Sequence, residues 1–211
     1  QVRAFGPLLA VTRKRADVTL GFYAPYWTTE YLTGPAIETW EWKKQQLFYD
    51  GLARLLQLAH LNTSFLDLEQ TTLDKLKLLP ALVVFTLDSM DAGTQQKLVD
   101  YVSAGGRLLL NPGLPQRGAG REACTILADF LGVKVGGTLA GNVRYRVDGR
   151  EALAQGELTW FEAPGAEVIA ETMDGKPCGL DLRRAGGQVL MLGFGLNHMF
   201  DYQVALVREL A

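Results

Sequence analysis

The side chains that could act as nucleophiles lie in surroundings that do not activate them. Ser89 follows a strongly apolar run, but the segment 87–91 (LDSMD) lacks the glycines of a nucleophile elbow. We therefore interpret Ser89 as a helix cap. Cys124 falls within a helical pattern, and Cys178 lies in a predicted hairpin strand. Neither position favours an activated thiolate, so both cysteines are predicted to be free thiols without a catalytic role.

The usual patterns of metal and cofactor binding are missing from the sequence. His60 and His198 are far apart, and no Cys-x-x-Cys occurs, so we predict no metal site. No Gly-x-Gly-x-x-Gly follows the first predicted strand, and we expect no cofactor. The glycine-rich segment 113–120 could cradle an anion, but it lacks the Gly-Lys-Ser/Thr ending of a phosphate-binding loop. A connecting loop is the favoured interpretation.

Four carboxylates in the second half of the chain were weighed as an acid pair for glycoside hydrolysis. They are Asp148, Glu151, Glu157 and Glu162. Such chemistry needs two carboxyl groups on either side of a glycosidic bond. The pattern around these four is that of short strands, and we interpret them as solvated residues at strand edges.

The segment from Tyr23 to Trp42, here called the aromatic segment, is unusually rich in large rings. Exposing all of them would leave an apolar patch that monomers rarely carry, and aromatic residues dominate binding hot spots. We expect this segment to contact another subunit, a neighbouring domain or the rim of a sugar site, with interface burial favoured. The residues predicted to make these contacts are Tyr26, Trp27, Tyr31, Trp40 and Trp42.

The elements that must position these residues centre on the segment 81–112. The apolar run 82–85 (LVVF) predicts a buried strand, 92–104 a helix, and 108–110 (LLL) a second buried strand. Gly105 and Gly106 are expected to end the helix, because a residue with positive φ is favoured there. A strand, a helix and a strand with short connections predict the centre of an open, mainly parallel sheet.

The rest of the chain predicts one α/β domain with a flavodoxin-like three-layer sandwich and a C-terminal antiparallel annex. Residues 1–17 are predicted as a lead-in, 18–135 as the flavodoxin-like core, and 136–211 as antiparallel strands and a closing helix of the same domain. Helices are expected over 41–60, 121–131 and 201–210, and 72–79 is predicted as a short helix or turn. The segment 183–187 (RRAGG) predicts a hairpin turn.

Composition narrows the class of protein further. The chain has 211 residues, a formal net charge of −2 and scattered basic residues, which does not favour nucleic-acid binding. No apolar run reaches the roughly 20 residues of a membrane helix. The two cysteines mildly favour a reducing compartment, and we expect a cytoplasmic protein. Because the chain starts at Gln1 without a signal-peptide pattern, we expect it to be a piece of something longer.

Three stretches resemble a known family. They are the segment 81–110, the segment 122–133 ending in ILADFLGV, and the segment 166–194 with its GGQVLMLGF ending. In order and spacing they are similar to the non-catalytic domain that follows the catalytic barrel in bacterial β-galactosidases of glycoside hydrolase families 42 and 35. In family 42 this is called the trimerisation domain, and it has the fold of class I glutamine amidotransferases.

The resemblance implies an accessory role. Amidotransferases of this fold use a cysteine after the central strand, where this chain has Leu87 and Asp88, so amidotransferase activity is not implied. We expect an oligomerisation domain of a multidomain glycoside hydrolase, with the catalytic barrel of the same polypeptide and further copies of the chain as partners. A stand-alone amidase using Cys124 or Ser89, and a carbohydrate-binding module using the aromatic segment, are the alternatives.

Overall fold

A computed structural model describes residues 15–27, 48, 51–154 and 156–196. In this part of the chain the helices are α1 (Arg54–Leu58), α2 (Leu73–Leu76), α3 (Ala92–Ser103) and α4 (Ile126–Leu131), and a 3-10 turn covers Ala24–Trp27. The strands are β1 (Val18–Phe22), β2 (Thr63–Asp67), β3 (Leu82–Thr86), β4 (Arg107–Pro112), β5 (Lys134–Ala140), β6 (Val143–Val147), β7 (Arg150–Ala154), β8 (Glu157–Glu162), β9 (Glu167–Thr172), β10 (Pro177–Arg184) and β11 (Gly187–Leu192).

Nine of these strands form one mixed sheet in the order β2-β1-β3-β4-β11-β10-β9-β6-β7, while β5 and β8 form a separate two-stranded sheet. The neighbours from β2 to β11 pair in parallel. The neighbours from β11 to β7 pair antiparallel. The domain is therefore mostly sheet, with few helices among its described residues.

The expectation of a mainly parallel sheet with an annex needs correction. The antiparallel strands do not cover an edge of the parallel sheet but continue it, because β11 lies directly beside β4. The predicted hairpin turn makes this possible. Ala185 and Gly186 both have positive φ (48° and 94°), as a tight two-residue hairpin turn requires. Strand β10 therefore folds back on β11 and starts the antiparallel half.

The central strand–helix–strand unit is confirmed. All five residues of β3 are buried, which explains the unbroken apolar run in its sequence. Leu98, Tyr101 and Val102 of α3 are also buried. The helix ends as predicted, since Gly105 has a φ of 93°.

Of the other predicted helices, one is wrong in its first half, one is described only in part, and one lies outside the described residues. The expected helix over 121–131 is wrong in its first half, because α4 starts only at Ile126. Arg121 has a φ of 65°, and the Gly118 N–H donates to the Glu122 carbonyl, so this stretch forms a narrow loop. Of the helix expected over 41–60, the structure describes residues 48 and 51–60, in which 51–58 are helical and end in α1. The helix expected over 201–210 lies outside the described residues.

Gly187, at the start of β11, provides a test of how the two halves of the sheet meet. A Cβ atom there would lie 2.3 Å from the Val102 carbonyl oxygen and 2.6 Å from the Gly106 carbonyl oxygen. Backbone oxygens cannot move aside as a flexible side chain would. We expect Gly187→Ala to lower the free energy of unfolding by about 1–3 kcal/mol, the usual range for overpacking. Urea denaturation measures the change.

Gly93→Ala is the matched control for this prediction. Gly93 is exposed near the start of α3, and the nearest atom to its added Cβ is an Asp91 side-chain oxygen at 3.1 Å. Alanine favours helix over glycine by roughly 1 kcal/mol. The control should therefore be neutral or stabilising. Equal midpoints for the two variants would contradict the proposed clash at Gly187.

Candidate functional site

Ligands of open α/β sheets bind beyond the carboxyl ends of the parallel strands, where the strand order reverses. In this chain that point lies between β1 and β3, since β2 follows on one side of β1 and β3 on the other. The residues that leave these strands at the carboxyl edge are Tyr23, after β1, and the segment 87–91, after β3. They define the candidate site.

Two tyrosines fill this crevice. Tyr23 is 1% exposed and Tyr26 is 2% exposed. Their rings meet edge to face with centroids 4.9 Å apart, and the Tyr26 ring packs in the same way against Phe85 of β3 at 6.2 Å. Edge-to-face packing is a favourable arrangement for aromatic pairs. The place where a ligand of such a sheet would lie is therefore occupied by side chains of the domain itself.

Tyr26 also satisfies the backbone of the loop that follows β3. Its hydroxyl donates to the Ser89 carbonyl oxygen at 2.5 Å and accepts a hydrogen bond from the Leu87 N–H at 3.1 Å. A buried backbone group without a partner would cost about 1–3 kcal/mol. The Tyr26 hydroxyl thus supplies to this loop the hydrogen bonds that a bound ligand or an ordered water supplies in an open crevice.

Asp91 joins the same network from the start of α3. Its carboxylate accepts from the Thr94 N–H at 2.9 Å, which is an N-cap bond, and its own N–H donates to the Tyr23 hydroxyl at 3.1 Å. Partial burial raises the pKa of Asp91, but hydrogen bonds from Thr94, Tyr23 and the Gly93 N–H outweigh it and lower the pKa below its ordinary value. Asp91 is therefore a structural carboxylate held in its charged form.

Residues 113–125, here called the strap, cover the other side of the loop after β3. The N–H groups of Gln116 and Arg117 both donate to the Asp88 carbonyl, and the Met90 N–H donates to the Arg117 carbonyl. The glycine-rich segment 113–120, which could cradle an anion by its sequence, forms the first part of the strap. The Glu122 side chain lies over two of its glycines, so that a Cβ on Gly118 would meet the Glu122 carboxylate at 1.8 Å. The preferred interpretation as a connecting loop agrees with this arrangement.

Gln95 ties the strap to α3 and α4. It is fully buried, and its side-chain amide donates to the carbonyls of Met90 at 2.8 Å and Cys124 at 3.1 Å. Its side-chain oxygen accepts from the Leu127 N–H at 3.2 Å. Gln95 lies three and seven residues before Leu98 and Val102, so it is on the buried face of α3, where the strap packs over it.

The candidate nucleophiles take structural places. Ser89 is buried but does not cap α3, since Asp91 does, and the prediction of a Ser89 cap is wrong. Cys124 precedes α4 instead of lying within a helix, because its N–H pairs with the Gln116 carbonyl of the strap. Burial raises the pKa of Cys178 to about 12, so this thiol stays protonated at neutral pH.

Of the aromatic residues predicted to make contacts, Tyr26 lies in the core of this domain. The side chain of Trp27 and residues Tyr31, Trp40 and Trp42 lie outside what the structure describes, so a contact role for the segment stays a prediction. The four carboxylates Asp148, Glu151, Glu157 and Glu162 are all exposed on the antiparallel half. Glu151 pairs with Arg144 at 3.5 Å, a weak surface contact.

Two further kinds of site concern the described residues, a metal centre and a pocket. No three His, Cys, Asp or Glu side chains come together there in a way that could hold a metal ion. A pocket of about 40 Å³ lies on the sheet face near α1, lined by aliphatic side chains from β1, β3, β4 and β11 and by Arg107 and Gln188. A sugar site needs several convergent hydrogen-bonding groups, and this lining is mostly aliphatic. No helix in the described ranges is long and apolar enough to cross a membrane.

The fold and its filled crevice define a mixed α/β domain whose carboxyl edge is closed by its own residues. A family model described as "GLMA-like, second domain" matches residues 33–176. The chain belongs to this family. The match includes strands β2 to β4 of the parallel half and strands β5 to β9.

Similar proteins act on sugars. The chain is 33% identical over 201 residues to an exo-β-D-glucosaminidase of Thermococcus kodakarensis, covering 90% of this chain and 25% of that protein. It is 25% identical over 218 residues to a β-1,2-glucosyltransferase of Ignavibacterium album, covering 94% and 30%. The chain thus spans about a quarter to a third of the length of these relatives.

The fold recurs in a family 42 β-galactosidase from G. stearothermophilus. The TM-score is 0.77 at 16% sequence identity, covering 99% of this chain and 31% of that chain. The expected likeness to these β-galactosidases therefore holds for the fold, while the sequence family is the GLMA-like second domain.

Asp91 can be tested by its pH dependence. Asp91→Ala removes the N-cap bond of α3, which should lower the free energy of unfolding by about 0.5–2 kcal/mol at neutral pH. Because the folded-state pKa is lowered, this contribution is present above the ordinary carboxyl pKa of about 3.9 and is lost as pH falls through the folded value. The difference between wild type and variant should therefore be constant above about pH 5 and shrink below about pH 4.

Asp88→Ala is the control, because it removes a carboxylate from the same loop without removing the N-cap of α3. Asp88 is exposed, and the hydrogen bonds it accepts from the strap go to its backbone carbonyl. The control should unfold like wild type at every pH. Chemical denaturation across the pH range measures both variants, and an Asp91→Ala deficit that persists undiminished in acid would refute a role for the charged carboxylate.

Proposed function

We propose that the chain is a non-catalytic accessory domain of a multidomain glycoside hydrolase, one that packs on the catalytic barrel and helps the enzyme to oligomerise. The observation that carries this proposal is the crevice between β1 and β3, which Tyr23 and Tyr26 fill from within. A domain that closes its own ligand edge is suited to contacting other protein surfaces instead of substrate.

The kinship with sugar-processing proteins supports the class of the parent enzyme. The relatives named above are an exo-β-D-glucosaminidase and a β-1,2-glucosyltransferase, and the fold recurs in a β-galactosidase. The three names share a β-linked sugar. We infer that the parent polypeptide acts on β-glycosides and that the acid and nucleophile belong to another part of it.

We also infer a flavodoxin-like arrangement for the parallel half, of the kind found in class I glutamine amidotransferases. The order β2-β1-β3-β4-β11 has the same pattern as the 2-1-3-4-5 order of that fold. Strands β1 to β2 and β3 to β4 step in opposite directions, so right-handed crossovers would place α1 and α3 on opposite faces. By the same kinship we propose a trimerisation-type domain and a cytoplasmic enzyme.

The two alternatives have less support. An amidase would need an activated thiol or hydroxyl, whereas Ser89 is enclosed by the tyrosine network and Cys178 is held protonated by burial. A carbohydrate-binding role for the aromatic segment keeps one favourable observation. The 3-10 turn Ala24–Trp27 at its start lies at the carboxyl edge of the sheet, where ligands of this fold bind.

The absence of catalysis in this chain can be tested directly. The 211-residue chain, incubated with aryl β-galactosides and aryl β-glucosaminides, should release no measurable aryl alcohol, because we place the acid and nucleophile carboxylates in another part of the polypeptide. The intact polypeptide that contains it is the positive control. Turnover by the chain alone that survives repurification, and disappears in Ser89→Ala or Cys124→Ala, would overturn the accessory role.

The assembly role can be tested in the intact polypeptide. Replacing Trp27 and Trp40 together with alanine should weaken assembly, since each buried interface aromatic can contribute about 2 kcal/mol or more. Sedimentation velocity measures the oligomeric state. The matched control replaces Leu78 and Met173, which are 83% and 43% exposed, and should leave assembly unchanged.

Three outcomes of that experiment are distinct. Weaker assembly in the tryptophan variant alone supports the interface. Unchanged assembly with lost affinity for galactosides would favour sugar contact by the aromatic segment. No change in either property would mean that the segment serves internal packing, and the interface proposal for it would fail.

A further inference from the structure

The two faces of the sheet differ around β11. A Cβ atom on Gly187 would lie 2.9 Å from the Val102 Cγ1 of α3, so Gly187 faces that helix. Side chains alternate between the faces along a strand, and Leu190 therefore points to the opposite face. Leu190 pairs with Leu109 of β4, and Leu109 pairs with Val83 of β3. These three side chains form an aliphatic row on the face away from α3.

The pocket of about 40 Å³ lies over this aliphatic row, since all three side chains belong to its lining. Among the described helices, α1 alone contributes to the lining, through Leu56. The pocket is larger than the roughly 10–15 Å³ that one water needs, but water in an apolar cavity finds too few hydrogen-bond partners. An aliphatic side chain suits this space better than water does.

Leu196 connects the pocket with the end of the described chain. It is fully buried and is part of the lining, four residues after the last residue of β11. It is also the last described residue. The residues that follow it in sequence are 197–211, here called the C-terminal segment.

The sequence of the C-terminal segment has the pattern of an amphipathic helix. Val204, Val207 and Leu210 recur at every third position and share one face of a helix. Arg208 and Glu209 supply charge between them. Such a helix is stable in a protein only when its apolar face is covered, because most helical stability comes from packing.

We propose that the C-terminal segment docks on the sheet face away from α3, beside α1, with its aliphatic side chains over and in the pocket. Four residues, 197–200, separate Leu196 from the helix predicted over 201–210. Four residues can span about 13 Å, whereas neighbouring strands are only about 4.8 Å apart. The connection is therefore long enough for the helix to lie over β4 and β11.

This inference goes beyond the accessory role and does not rest on it. It assigns one face of the sheet to the chain's own C-terminal segment, so that face does not meet the catalytic barrel or a neighbouring subunit. The surfaces that make those contacts must then lie elsewhere on the domain.

Cysteine reactivity in the 211-residue chain tests the docking. With Cys124 replaced by serine, a single cysteine is introduced as Val207→Cys or as Glu209→Cys, and its rate of reaction with dithiobisnitrobenzoate is measured. Positions two apart do not share a helix face. Val207→Cys should react at least about 10-fold more slowly than Glu209→Cys, because a docked side chain is reachable only when the segment opens. Cys178 is fully buried and stays in place.

Filling the pocket tests where the segment docks. Ala81 is half-buried and Arg107 is exposed, and both belong to the lining. Ala81→Trp, and separately Arg107→Trp, should displace the segment and raise the rate of Val207→Cys to that of Glu209→Cys. Leu78→Trp is the control, because Leu78 is 83% exposed and lies outside the lining, and should leave the rate unchanged. Circular dichroism checks that each variant is folded.

Each outcome decides the proposal. Slow reaction of Val207→Cys that a folded pocket-filling variant abolishes supports it. Equal rates for Val207→Cys and Glu209→Cys would overturn the docking. Protection that both filling variants leave unchanged would mean that the segment is buried elsewhere. Protection that weakens on dilution would assign the pocket to the C-terminal segment of a second copy, and the intramolecular docking would fail. None of these outcomes changes the accessory role, which the sugar-release assay tests.

Discussion

The carboxyl edge of the sheet depends on one constraint, which is that the partly buried backbone of the loop after β3 must be hydrogen-bonded. Tyr26 serves the Leu87 N–H and the Ser89 carbonyl, and the strap serves Asp88 and Met90. Gln95 adds a bond to the Met90 carbonyl. Because buried backbone groups without partners are costly, these side chains are fixed in place. The crevice is closed as a consequence of satisfying the loop.

Because the crevice is closed, this domain lacks the open position at which proteins of this fold bind a ligand. Open α/β sheets present the loop after the central strand to a ligand, and enzymes place a nucleophile there. In this chain the same loop faces two tyrosine rings, and its one carboxylate with a lowered pKa, Asp91, caps a helix. A perturbed pKa often marks a functional site, although structural hydrogen bonds shift pKa values as well. In this chain the lowered pKa of Asp91 comes from the hydrogen bonds that hold the loop and cap α3.

Local patterns of the sequence predicted the central unit well and the carboxyl edge poorly. The buried run of β3 and the glycine at the end of α3 are properties of short segments, and both are confirmed. The pairing of β11 with β4 is not local, since the apolar sequence of β11 suits either half of the sheet. Ser89 and Asp91 are equally good caps by residue type, and only the geometry of the loop decides between them.

The site was missed for a similar reason. Tyr23 and Tyr26 were seen as part of an aromatic excess, but their hydroxyl partners lie more than sixty residues away in sequence. Gln95 lies on the same face of α3 as Leu98 and Val102, but residue types do not predict which distant backbone groups its buried amide bonds. A sequence signal did exist in the spacing of Tyr23 and Tyr26 directly after a buried strand, at the position where ligands of this fold are expected.

The position of β11 has a consequence for how the polypeptide is made. Of the described strands, β11 is the last in sequence, yet it lies between β4 and β10 near the middle of the sheet. During synthesis on the ribosome, β4 must wait with one edge unpaired until the whole antiparallel half has emerged. Such long-range pairing slows folding and exposes strand edges meanwhile. The domain can therefore complete its sheet only after synthesis has passed β11, and a truncation before Gly187 would leave two sheets without the strand that joins them.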